Sequence, residues 1–269
     1  MKSLKEQIDE LMLEGYSTDT ARAKVVHDAV LLAMHKSGFK SNSTIKGGVV
    51  MSSLTGDVRR ATMDMDIDFI HYSLAEKSVE RFVAKLAKAI PALTLKMVGK
   101  PIELKHEDYR GKRLYLTVKD SSIKRAIRTK LDIGVHKRDE IEQVEFLFEV
   151  AAENSPAELL ANSSEQIFVE KLLSLLRHGA LSNRTKDVFD MCYLAERLDK
   201  DRLRAYMKSL IYENKRCRAM DHEAMMKMLR ATFSARTFVG KLNKSRVNWL
   251  EINPSEAMNS IVSFLETVS

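Results

Sequence analysis

Two hydrophobic periods divide the chain. Near its start, apolar residues recur every three or four positions, which predicts helices over 3–15 and 19–36. In the second of these, Ala21, Val25, Ala29 and Leu32 make one stripe, widened by Val26, Val30 and Ala33. The stretch "GFKSNSTIKGGVVMSSLTG" follows, with the chain's only Gly-Gly pair, Gly47-Gly48, between a strand-like "TI" and a helix-like "VVMSSL". The period then falls to two in "RRATMDMDIDFI", Arg59 to Ile70. Residues 76–90 return to a helical pattern. From 93 to 149 the text is strand-like: "LTLKMV", "RLYLTV", "KLDIGV" and "VEFLFEV" are separated by charged or Gly-containing turns. After "ENSPAELL" it becomes helical almost to the end, through Leu172, Leu173, Leu175, Leu176 and "VFDMCYLAERL". Asn253, Pro254 and Glu256 supply an N-cap, a first-turn proline and an acidic third residue for a last helix. The expectation is an α+β half over 1–150 and a helical half over 151–269, with the seam at Pro156 and the Asn-Ser text beside it.

Length and composition add bounds. The 269 residues, 45% of them hydrophobic, are enough for proper cores. No apolar run reaches the ~18 residues of a membrane span. The charged N-terminus has no apolar core of a secretory leader. Cys192 and Cys217 lack metal-site spacing, lie in helical-looking text, and read as free thiols of a cytoplasmic protein. The net charge is +7 and is unevenly spread. Residues 99–138 carry twelve Lys/Arg against five Asp/Glu, and residues 201–246 twelve against four. Two basic blocks on an acidic remainder point to a polyanionic partner, the plain alternative being solvated faces. The seven histidines show no His-Glu-x-x-His pattern, and His106-Glu107-Asp108 reads as a turn. Met220, Met225, Met226 and Met228 read as core filling, and no P-loop is present.

The acidic strand carries the chemistry. Asp64, Asp66 and Asp68 alternate with Met65, Ile67 and Phe69, so the three carboxylates share one face. Like charges this close repel unless a cation lies between them. A solvated edge strand would also tolerate them; a divalent metal would use them. Upstream, a Gly-Gly turn lets backbone approach a ligand, and a helix N-terminus behind it suits phosphate. Phosphates at Gly47 and Gly48 would lie near carboxylates holding Mg²⁺, which takes phosphate oxygens into its shell. Asp132, centred in "TKLDIGV", is the candidate third carboxylate for a second ion that activates an attacking hydroxyl.

Lys46-Gly47-Gly48, followed by Arg60-Ala61-Thr62-Met63-Asp64-Met65-Asp66, resembles the motif of the DNA polymerase β-like nucleotidyltransferases, and most closely that of the AbiEii-type abortive-infection toxins. The later signature of that family is matched by Glu170-Lys171-Leu172 and by "RTKDVFD", Arg184 to Asp190, with Trp249 and Pro254 fitting its end. The resemblance covers about 45–260. It implies a small mixed β-sheet flanked by helices, followed by a helical bundle. It also implies Mg²⁺-dependent transfer of a nucleotide from a nucleoside triphosphate, with two ions, to RNA such as tRNA 3′ ends. A neighbouring antitoxin would restrain this activity.

By the resemblance, Asp64, Asp66 and Asp132 are catalytic and metal-binding, and Lys171 and Asp187 are catalytic. Lys46, Gly47, Gly48, Ser52, Arg60, Thr62 and Arg184 bind nucleotide. Ser52 or Ser53 would replace the hydroxyl of the more common Gly-Ser, and Asp68 is peripheral. The expected protein is a monomer with no membrane contact. Two other readings stand beside it: a catalytically inactive nucleotide-binding regulatory module, and a same-fold transferase with a protein or small-molecule acceptor.

Overall fold

Each early helix begins where a hydroxyl can hold a free N–H. Ser3 and Glu6 form a capping box at α1 (Leu4–Leu13), and Ser17 accepts from the Thr20 N–H at α2 (Thr18–Lys36). The expected stripe of α2 is buried, and so are His27 and Asp28 beside it. This computed structural model describes residues 1–105, 110–136, 138 and 140–268, so His106-Glu107-Asp108 lies outside the described residues. They form two compact units, Met1–Asn162 and Ser163–Ser269.

In the first unit, β1 (Ser43–Lys46) runs straight into α3 (Gly47–Thr55), and a 3-10 turn (Val58–Arg60) leads to β2 (Asp64–Phe69). Next come α4 (Glu76–Ala89), β3 (Thr94–Met97), β4 (Ile102–Lys105), β5 (Arg110–Lys119), β6 (Ile127–Val135), β7 (Val144–Phe148) and β8 (Ala157–Ala161). The sheet order is β3-β5-β6-β2-β1-β8-β7, with β4 added on β5. The sheet is mixed: β2 is antiparallel to β1 and parallel to β6, and β1 is parallel to β8. The acidic strand therefore lies inside the sheet, which removes the solvated-edge reading. Met65, Ile67 and Phe69 are buried on its apolar face.

The expected seam near 150 falls too early. Ala157, Leu159 and Ala161 alternate with less buried residues and close the sheet between β1 and β7. Ala, Glu and Leu all favour helix intrinsically, and sheet pairing overrides that preference.

The second unit is helical. It holds α5 (Ser164–His178), α6 (Thr185–Ala195), α7 (Lys200–Met207) with a π-helical extension (Lys208–Tyr212), α8 (His222–Ser234), α9 (Arg236–Asn243) and α10 (Pro254–Glu266). Asn253 caps α10 through the Ser255 N–H, with Pro254 in the first turn. Met225 and Met226 are in the core as expected, whereas Met220 is exposed. Cys192 lies in α6 but Cys217 lies in a turn after the π-helical stretch, and neither forms a disulfide. Among the described residues no helix is long and apolar enough to cross a membrane.

Candidate active site

Strand register sets the site. Arg113, Asp132, Asp66 and Lys46 align across β5, β6, β2 and β1. Aligned residues of neighbouring strands share a face, with strands about 5 Å apart. The row therefore reads cation, carboxylate, carboxylate, cation. Two positions along the strands, on the same face, Tyr115, Lys130 and Asp64 align on β5, β6 and β2.

The outer carboxylates are held by the chain's own cations. Arg113 grips Asp132 with two parallel bonds, Nε to Oδ1 at 2.7 Å and Nη2 to Oδ2 at 2.8 Å. Lys130 Nζ lies 2.8 Å from Asp64. Lys46 Nζ lies 2.8 Å from Asp68, which is buried. Asp68 is thus not peripheral: it anchors the lysine that leads into the Gly-Gly turn. Asp66 is different. Among the described residues its side chain makes no ion pair or hydrogen bond. Burial raises its pKa, as do the charges of Asp132 and Asp64, against the opposing pull of Lys46 and Lys130.

Beside Asp66 stands the turn. Gly47 has φ +55°, which favours glycine, and a Cβ there would sit 3.6 Å from Asp66 Oδ2. A Cβ on Gly48 would meet Thr62 Oγ1 at 2.6 Å, so only glycine lets α3 lie this close to the strand's approach. Thr62 Oγ1 in turn donates to the Asp64 carbonyl at 3.3 Å. Lys46, in the N-cap position of α3, supplies no side-chain cap. The first-turn N–H groups and the positive end of the helix are thus set next to Asp66.

The remaining expected residues of this unit divide. Ser52, in the second turn of α3, lines a narrow cleft with Tyr16, Lys24, His27, Asp28 and Thr62. Arg60 is only 2% exposed and lies within the fold rather than on its surface. His27 is a residue that sequence reasoning passed over. Burial pushes its pKa down to about 4, helped by Lys24, while Asp64 and the Met63 carbonyl pull the other way. Arg113 and Lys130 were also missed; their only signal is position in strands paired with the aspartates.

Do these residues fit a divalent cation? A desolvated carboxylate, repelled by two neighbours and lacking a cation of its own, fits one. Among the described residues, however, no three potential ligands are gathered as a metal-holding group. The donor set closes only if Arg113 and Lys130 release their carboxylates.

In the second unit, Lys171 on α5 reaches α6. Its Nζ is 2.5 Å from Asp187 and 2.8 Å from Asp190. Asp190 is fully buried and also accepts from Trp249 Nε1 at 3.0 Å. Asp187 thus orients Lys171, and Asp190 and Trp249 form a second, internal support. Arg184 precedes α6, largely exposed, with Nη1 3.9 Å from Asp187.

The family described as nucleotidyl transferase AbiEii toxin, of type IV toxin–antitoxin systems, matches residues 29–249. The chain belongs to this family. Both the Gly-Gly/Asp-x-Asp block and the Lys171–Asp187 pair lie inside the match. AbiEii membership makes the protein a nucleotidyltransferase toxin, with a nucleotide substrate and an antitoxin partner. Two crystal structures from Helicobacter pylori share the fold. JHP933 has a TM-score of 0.56 at 14% identity, covering 94% of this chain and 93% of that one. A candidate nucleotidyltransferase has a TM-score of 0.54 at 14% identity, covering 94% and 95%. No curated protein sequence matches.

Proposed function

We propose that this AbiEii chain transfers a nucleotide from a nucleoside triphosphate to RNA, with tRNA 3′ ends as the acceptor, in a Mg²⁺-dependent reaction. The observation that carries the reading is Asp66. It is an unpaired, desolvated carboxylate, in register with Asp132, facing the open N-terminus of a glycine-led helix.

Asp66, Asp64 and Asp132 would hold the ions. Mg²⁺ supplies charge neutralisation for the triphosphate and a more acidic acceptor hydroxyl. The backbone N–H groups of Gly47 and Gly48 receive phosphate oxygens, because no side chain caps them. Lys46, anchored on Asp68, adds positive charge at the same turn. Lys171, fixed by Asp187 and Asp190, is the family's second cationic element. The acceptor oxygen attacks the α-phosphorus and pyrophosphate leaves. Two basic blocks favour a polyanionic acceptor: Lys208, Arg216 and Arg218 are all exposed.

Incubating the protein with each labelled nucleoside triphosphate and total RNA tests this. Label should enter tRNA-sized RNA, depend on Mg²⁺, and vanish in Asp66→Asn. Label entering protein or a small molecule instead would replace the acceptor, and label entering nothing in wild type would end the RNA-transfer reading.

A further inference from the structure

We infer that Arg113 is a positioning residue that competes with the divalent cation for Asp132, so that the site takes its metal only as this guanidinium lets go. The inference rests on the reading of Asp66 and Asp132 as metal ligands.

Three observations support it. First, the grip is bidentate: Nε and Nη2 each take a separate oxygen of Asp132. A planar fork matched to a carboxylate takes one lone pair of each oxygen, the pair a cation held by both oxygens would need, and adds a positive charge that repels the cation. Second, the grip is built into the sheet, because Arg113 and Asp132 are direct cross-strand partners on β5 and β6. Third, the competition is local. Asp66, the next carboxylate in the row, has no such holder, so a cation reaching Asp66 meets Asp132 already engaged. The Arg113 side chain is 31% exposed, so it has solvent to swing into. Arg113 lies on the side of Asp132 away from Asp66, so its release leaves the Asp66 side of Asp132 unchanged.

The consequence is linkage. Whatever draws Arg113 off Asp132 tightens the metal site, and metal loosens Arg113 by the same factor. The resting protein is then a poor metal binder and substrate completes the site.

Mn²⁺ binding without nucleotide, followed by electron paramagnetic resonance, tests this in wild type, Arg113→Lys and Asp66→Asn. Lysine keeps the charge but loses the fork. Arg113→Lys should bind Mn²⁺ more tightly than wild type, on the order of tenfold for two charge-assisted bonds removed. The Arg113 Nε–H resonance of ¹⁵N-labelled wild type should shift when Mg²⁺ is added, and stay fixed in Asp66→Asn. Equal Mn²⁺ affinity in wild type and Arg113→Lys, with binding lost in Asp66→Asn, overturns the competition while leaving the metal site intact. Binding unaffected by Asp66→Asn, or absent from all three proteins, overturns both.

Discussion

One carboxylate concentrates the cost of the site. Because burial and two neighbouring aspartates raise the Asp66 pKa, the folded state holds its proton more tightly than the unfolded chain does. Stability from this group is full below the unfolded value of 3.8 and falls as pH rises through the folded value. Asp66→Asn should therefore melt higher than wild type near pH 7 in chelator. The gain should fade toward pH 3.8, and transfer should be lost throughout. An unchanged melting temperature at pH 7 would deny the repulsion. His27 works in the opposite sense. Its folded pKa of about 4 lies below the unfolded 6.5, so the folded state binds fewer protons between these values. Stability is full above 6.5 and is lost as pH falls toward 4. Urea titrations of wild type against His27→Leu across this window should show wild type losing about 3 kcal/mol more, since each pH unit separating the two pKa values is worth roughly 1.4 kcal/mol. The aspartates were legible because alternation forces them onto one face. Arg113 was not legible, since in sequence it is one of three basic residues in "RGKRLY" and only pairing with β6 singles it out.

Among elements, the junction of β1, α3 and the approach to β2 depends on one contact. Gly48 admits Thr62 at a distance no side chain would allow. Gly48→Ala should destabilise by about 1–3 kcal/mol, the range for overpacking. Thr62→Ala should be mild alone and should recover part of that loss in the double variant, because Oγ1 is the nearest clashing atom. Strictly additive losses in denaturant melts would show that the two residues do not press on each other. The Lys171 network makes a parallel case. Lys171→Met leaves the buried Asp190 and the half-buried Asp187 without their shared cation. It should cost about 3–5 kcal/mol, as breaking a buried pair does. Asp187→Asn should cost less than Asp190→Asn, since only Asp190 is fully buried and also holds Trp249. The Gly-Gly turn, the Asp-x-Asp strand and the last helix were all legible from local chemistry. β8 was not, because its five residues favour helix in isolation and become a strand only when β1 and β7 flank them.

For the whole molecule the open quantity is the partner, and charge is the property that addresses it. The net charge of +7 hides two basic blocks, one in each unit, with excesses of +7 and +8 against an acidic remainder. Not all of this positive charge is available. Arg113 and Lys130 are engaged with aspartates, Lys112 with Glu103, Arg204 with Asp201 and Arg230 with Glu266. The stretch from Lys208 to Arg218 keeps exposed cations, with Lys208 only 3.9 Å from Glu213. Reversing Lys208, Arg216 and Arg218 together to Glu should weaken RNA binding. It should also flatten the dependence of binding on salt, by about 0.9 in log–log slope for each duplex phosphate no longer neutralised and about 0.7 for a single strand. Triphosphate affinity should hold, because the triple variant alters none of the residues proposed to hold the triphosphate. An RNA titration of the triple variant at several salt concentrations separates the cases. A flatter slope with intact triphosphate binding assigns the second unit's basic block to the acceptor. An unchanged slope makes that block a solvated helical face, and the nucleotide site must then find its acceptor by other residues.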